Sequence, residues 1–250
     1  MKGYVRAQTV VFGNFKNYIV DSKNIIDLMN ELKNFDVIPN VIDEVQLEIK
    51  DNNPIQRIVK RIQLNSNSHK LRITILDNSI EIQAIPQIEF DLQNSSINIE
   101  NFVNDSKEIF SLLLKNIGKM GNRISLVTTY LNENEPNNKY TKYVKPIKFF
   151  ETKDVFEWNV KNVVRESWIN NVGKEEKLNV IYNICKTTGM VTSNLPNPIS
   201  VKFDGILTEI DINTVAEMTD SRIDDKFINL FYDKALEVKK SLDGCESNAK

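Results

Sequence analysis

Apolar and polar residues alternate with period two through much of the first half of the chain. Between residues 41 and 50, Val45, Leu47 and Ile49 alternate with Glu44, Gln46, Glu48 and Lys50. That spacing predicts a strand with one face buried and one in water. Strand-like runs follow at 56–64, 70–76, 79–85 and 88–92. Asn65-Ser66-Asn67-Ser68 interrupts the first pair, and Asp77-Asn78 reads as a two-residue hairpin turn of the type such hairpins prefer. Leu71, Ile73 and Ile75 then stand opposite Ile80, Ile82 and Ala84, so the region is predicted to be an antiparallel meander.

Three segments carry the helical period instead. In 22–35, Ile25, Leu28, Met29, Leu32 and Phe35 recur at i, i+3, i+4 spacing, with Asp21 or Ser22 as cap and Pro39 stopping any continuation. In 101–117, Phe102, Ile109, Phe110, Leu113, Leu114 and Ile117 form one stripe, and Gly118 is placed to close it. In 221–242, Phe227, Phe231, Ala235, Val238 and Leu242 make an inner face. Ser221-Arg222-Ile223-Asp224 resembles a capping box at its start, and Gly244 is expected to end it.

A first strand is expected over 4–16 (Val10, Val11, Phe12, Phe15) and another over 123–131. The polar stretch 132–138, with Pro136, is the expected boundary between an N-terminal α+β half, 1–132, and a C-terminal one, 139–250. Beyond it, 139–150 and then 154–169 precede a turn at 170–174. A strand over 177–186 and a loop over 193–198 follow. Residues 200–212 read as one strand or as two pivoting at Asp204-Gly205. Helices and strands do not alternate as in a parallel sheet. The expected fold is α+β, a mainly antiparallel sheet with about three long helices packed on it, forming one unit or two closely packed subdomains. The order leaves room for two similar halves.

Composition supports the strand-rich reading. There are 30 Ile and 32 Asn, while Ala is scarce, and β-branched side chains fit a pleated surface better than a helix. A net charge of −2 gives no global attraction to nucleic acid or anionic membrane. No run approaches the roughly 20 apolar residues of a membrane-spanning helix. With no leader-like apolar region and two well-separated cysteines, Cys185 and Cys245, the expected location is cytoplasmic.

The catalytic inventory is thin. One histidine, His69, lies in a polar turn, and the 8 glycines are too scattered for a phosphate-cradling loop. Glu48-Ile49-Lys50 has the E-x-K form of metal-dependent nucleases, with Asp43 or Asp36 as second acid. The same triplet arises on any polar strand face. Lys139, Tyr140, Lys142, Tyr143, Lys145 and Lys148 interleave cations with aromatics, a pattern that neutralises phosphates and stacks bases, or that protects an edge strand. Arg57, Lys60, Arg61, His69, Lys70 and Arg72 read as a solvated basic sheet face. Asp204, Glu209, Asp211, Asp220, Asp224 and Asp225 lack the spacing of a calcium loop, and the last two suit a helix start. Trp158 and Trp168 are expected in a core, an interface or, with Tyr182, a pocket wall. Cys185 reads as a plain strand residue. No cofactor or metal is expected.

Three stretches resemble a sporadically distributed family of bacterial proteins of about this length with no established function. They are Pro39-Asn40-Val41-Ile42-Asp43-Glu44-Val45-Gln46-Leu47-Glu48-Ile49, the 73–85 meander with its Asp77-Asn78 turn, and Leu207-Thr208-Glu209-Ile210-Asp211-Ile212 with the helix from Ser221. The resemblance spans about two thirds of the chain and implies an architecture rather than catalytic residues. The residues before Pro39 read as an addition, and the last helix lacks the histidine that family often carries. Its patchy occurrence implies association with mobile elements or phage defence. The expected function is therefore a non-enzymatic interaction or accessory protein of a bacterial multi-component system, with another protein as partner. A nucleic-acid-binding accessory protein and a metal-dependent nuclease are the alternatives.

Overall fold

The computed structural model describes residues 2–18, 20–50, 53–85, 97–117, 121–133, 155, 157–170, 173–192 and 200–248. In chain order these form β1 (Lys2–Gly13), α1 (Ser22–Glu31), β2 (Val37–Lys50), β3 (Asn53–Ser66), β4 (Leu71–Ile75) and β5 (Ser79–Ala84). Then come α2 (Ile99–Ile117), β6 (Gly121–Glu133), β7 (Trp158–Ile169), β8 (Glu175–Thr192), β9 (Ser200–Thr214) and α3 (Asp225–Asn248). The strands make one sheet in the order β2-β3-β4-β5-β1-β6-β9-β8-β7, antiparallel at each pairing. The α+β class and its antiparallel meander are as expected, including the register Leu71↔Ala84, Ile73↔Ile82 and Ile75↔Ile80.

Period two decides the layering. One side chain of each successive pair faces the helices: Leu64, Ile73, Ile82, Val11, Ile124, Leu126, Ile212 and Val180 are all buried. The helices meet them with Leu28 and Leu32 near α1, Phe102, Ile109, Phe110 and Leu113 from α2, and Phe227, Phe231, Tyr232 and Ala235 from α3. Thus α1 lies against β2, α2 against β1 and α3 against β6, with α2 touching both other helices. The single large core cluster draws on both sides of the 132–138 boundary. The opposite face of the sheet is polar, carrying Gln63, Arg72, Gln83, Glu81, Gln8, Arg123 and Asp211.

Two hairpins outrun the sheet. β3 pairs with β4 only from Ile62 to Ser66, so 42–50 and 53–61 continue as a two-stranded arm, about 30 Å long at strand rise. At the other end, β8 leaves β7 after Lys186 and β9 leaves β6 before Gly205, so 187–192 and 200–204 form a second arm. The register places Gly13 and the 76–78 turn at the first arm's end of the sheet, and Lys2 and Asn132 at the second's.

Several sequence expectations are corrected. The first helix ends at Glu31, followed by a 3-10 turn, Lys33–Phe35, and a left-handed Asp36 (φ 47°), so Pro39 lies inside edge strand β2, where a missing N–H is tolerated. Its cap is Asp21, whose carboxylate accepts from the Asn24 N–H at 2.7 Å. The apolar face of β2 is not buried beyond Val37: Val41, Val45 and Leu47 are 43%, 59% and 72% exposed, because they sit at the base of the arm or on it, past α1. Neither Asp77 nor Asn78 takes the positive φ of a primed turn. Tertiary bonds hold them instead, as their carbonyls accept from Phe15 N (2.8 Å) and Gly13 N (2.9 Å). Residues 200–214 are one strand. α3 starts at Asp225 with Asp224 as cap, accepting from Phe227 N at 2.9 Å, not at Ser221. The N–H groups of Arg222 and Ile223 are committed to the Gly121 carbonyl at 2.8 and 3.0 Å, which delays the helix. α3 also runs through Gly244 to Asn248. The expected strand at 88–92, the Gly118 cap, the 139–150 segment and the 193–198 loop lie outside the described residues.

Candidate functional site

Among the described side chains the sequence candidates do not converge. Asp43 on β2 is ion-paired with Lys60 of β3 at 2.5 Å. Glu48 and Lys50 lie further along the same strand. Among the described residues no group of three or more His, Cys, Asp or Glu side chains is placed to hold a metal ion. Lys139, Tyr140, Lys142, Tyr143, Lys145 and Lys148 lie outside the described residues.

The basic meander is solvated as expected at Arg57, Lys60, His69 and Lys70 but not at Arg61. Arg61 is 6% exposed, its guanidinium held between Glu44 and Asp77 at 2.5 Å each. Burial alone would raise the Asp77 carboxyl. Hydrogen bonds from Arg61 and Gln46 outweigh it and hold that carboxyl below its ordinary value. Elsewhere on the polar face Arg6 pairs with Glu209, and Arg165 with Glu217 and the Asn179 amide. Arg123 bonds Asn213 and stacks over Phe12. Opposite charges are thus interleaved, which removes the uniform positive field that phosphate recognition needs. His69 sits against the Phe35 ring with Nδ1 3.1 Å from the Asp105 carboxylate.

The acidic stretch is likewise dispersed. Asp204 pairs with Lys186, Glu209 with Arg6, and Asp224 caps α3. Trp158 packs with Ile184 and Ile206, with Val160 and Tyr182 beside them. Trp168, at the far end of β7, meets the Phe227 ring edge-on in the main core. The two tryptophans therefore wall no common pocket. Cys185 is partly buried, and burial together with Glu209 pushes its thiol up, away from a reactive thiolate.

What the structure does present, among the described residues, is unpaired backbone. β2 and β7 are the two edges of the sheet. β7 pairs with β8 without a break from Trp158 to Ile169, so its outer side is a regular row of donors and acceptors. Val163 and Val164 project to opposite faces and are 58% and 54% exposed, with Ile169 at 67%. The β2–β3 arm adds Val45, Leu47, Ile55 and Ile58, also exposed. Edge strands usually carry charge, bulges or a cover; β7 carries Lys161, Arg165 and Glu166 around its central valines but, among the described residues, no bulge and no cover over its outer side. The adjacent valines of 163–164, breaking the usual alternation, were the sequence signal for this surface. No known protein family matches the chain, and neither a curated protein nor a solved structure matches it. Among the described residues no helix is long and apolar enough to cross a membrane.

Proposed function

We propose that this protein is a non-enzymatic interaction module that binds another protein chain by adding a strand to its exposed sheet edges. The observation that carries the reading is the bare β7 edge, whose Val163 and Val164 stand exposed on both faces. In strand addition, main-chain hydrogen bonds supply affinity and alternate side chains supply specificity. β7 offers twelve residues for the first and the exposed Val163 and Val164, one on each face, for the second. Among the described residues, the Asp43–Lys60 ion pair and the interleaved charges favour this role over a nuclease or a nucleic-acid binder. On the family resemblance, the module serves a cytoplasmic bacterial multi-component system associated with mobile elements or phage defence. The meander β2 to β5 folding back on β1, then α2, and β7 to β9 folding back on β6, then α3, support an origin in two similar halves.

The test is tagged purification from the native host, with Val163→Lys plus Val164→Lys as the comparison. A stoichiometric protein partner, lost from the double variant while the fold is retained, is expected. Co-purifying nucleic acid without protein, or divalent-metal-dependent cleavage that Glu48→Ala abolishes, overturns the reading.

A further inference from the structure

The pleat restricts how an edge strand can pair antiparallel with its own copy. A twofold axis perpendicular to the sheet keeps every side chain on its own face, so the axis must pass beside a residue that meets itself. Few such axes suit β7. Axes through Lys161, Arg165 or Glu166 set two like charges face to face, and one through Val163 sets Lys161 opposite Arg165. Like charges directly opposite destabilise a ladder. An axis through Asn162 pairs only Trp158 to Glu166 and leaves the exposed Ile169 outside, and axes nearer either end pair fewer residues still. An axis through Val164 pairs every residue from Asn159 to Ile169, the longest ladder free of a like-charge pair.

That register is complementary on both faces. Val164 projects to the helix side, where its neighbour on β8 is the core residue Val180. There it meets itself, and Asn162 of each copy meets Glu166 of the other. The amide donates to a carboxylate that stands 3.9 Å from Lys234. On the polar side Val163 meets Arg165, whose charge Glu217 and the Asn179 amide already answer at 3.2 and 3.1 Å. The aliphatic stem of an arginine covers apolar surface while its head stays in water, so both exposed valines gain a cover. Lys161 meets Ser167. A ladder of this length carries about ten main-chain hydrogen bonds, as many as a standard protein–protein interface.

Resting on the strand-addition reading, we propose that the strand β7 takes up is β7 of a second copy, giving a twofold dimer whose single sheet is centred on Val164. The β2 edge of each copy, with its arm, then stands at an outer end of the joined sheet.

Sedimentation velocity on the purified full chain, with variants at 163 and 164, tests it. The wild type is expected to sediment as a dimer at ~10 μM. Val164→Lys sets two ammonium groups face to face at a position already half exposed, and should weaken dimerisation by at least about tenfold. Val164→Glu should do the same, and an equimolar mixture of the two should dimerise again. Val164→Cys should cross-link on mild oxidation, because facing Cα atoms about 4.5–5.5 Å apart lie within disulfide range. Val163→Cys, two positions out of line with its copy, should cross-link no more than the wild type, whose own cysteines are Cys185 and Cys245. Circular dichroism establishes that each variant is folded. A wild type still monomeric at ~100 μM overturns the proposal. If that monomer captures a different protein that Val163→Lys plus Val164→Lys loses, strand addition stands and only the self-pairing fails; if it captures none, both fail. A dimer that Val164→Lys leaves intact uses another surface, and one that Val163→Cys cross-links as readily as Val164→Cys uses another register; either overturns the proposal.

Discussion

Replacing Arg61 by methionine tests whether the polar face is held together by charge. The arginine side chain is 8% exposed and bridges Glu44 on β2 and Asp77 in the β4–β5 turn, at 2.5 Å each, so it ties the base of the β2–β3 arm to the sheet. Methionine keeps most of the stem's packing and removes the charge. Removing one partner of a fully buried pair costs about 3–5 kcal/mol. Here the stranded carboxylates are 27% and 30% exposed and rehydrate in part, so a loss of about 2 kcal/mol at pH 7 is expected. The pH dependence separates charge from packing. Asp77 has a folded-state pKa below its unfolded value. Its contribution is therefore complete above the unfolded pKa and is lost as pH falls through the folded one. Urea unfolding followed by tryptophan fluorescence should give a gap between wild type and variant that is largest at pH 7 and shrinks as pH drops below about 4. A gap that stays constant down to about pH 2.5, or that is absent at pH 7, would refute the argument, since only a charge interaction titrates away.

Other expectations bear on the seams of the fold. A Cβ on Gly121 would run into the Phe12 carbonyl oxygen and lie 2.8 Å from Val11 Cγ1, so Gly121→Ala should cost about 3 kcal/mol in chemical denaturation; an unchanged midpoint contradicts the close β1–β6 approach. Tyr232→Phe removes a buried 2.7 Å hydrogen bond to Thr9, whose hydroxyl in turn donates to the Ser125 carbonyl at 2.7 Å, for a loss of about 1 kcal/mol with packing retained. Thermal unfolding of Asp224→Ala should show a loss of about 1 kcal/mol from the α3 cap, larger than that of Ser221→Ala. The reverse order would move the helix start back to 221.

The strands and their facing were legible because period two and burial coincide. Leu71, Ile73 and Ile75 opposite Ile80, Ile82 and Ala84 needed only alternation and a turn, and the register agrees pair by pair. Asp21 was legible as a cap for the same local reason. Failures came where distant segments override local preference. Alternation in β2 promised a buried face, but burial requires a covering helix, and α1 stops short of Val45 and Leu47. Ser221 and Asp224 are both good caps by type; the Gly121 carbonyl, a hundred residues earlier, decides between them. Arg61 looked like one of several surface cations, and only the turn at Asp77 brings it a second carboxylate and buries it.

The two arms leave the sheet from opposite halves and at opposite ends. A partner gripping both would pull nearly parallel to the strands. Cross-strand hydrogen bonds of an antiparallel ladder run perpendicular to that direction, so tension would reach them as shear, shared along each ladder instead of unzipping it bond by bond. The β1–β6 seam at the centre would carry this load over eleven registered pairs, cross-pinned from α3 by the Tyr232–Thr9 bond. Mechanically, tension applied to the arms along the strands would be met by a whole ladder at once, as in a strap and not as in a zip.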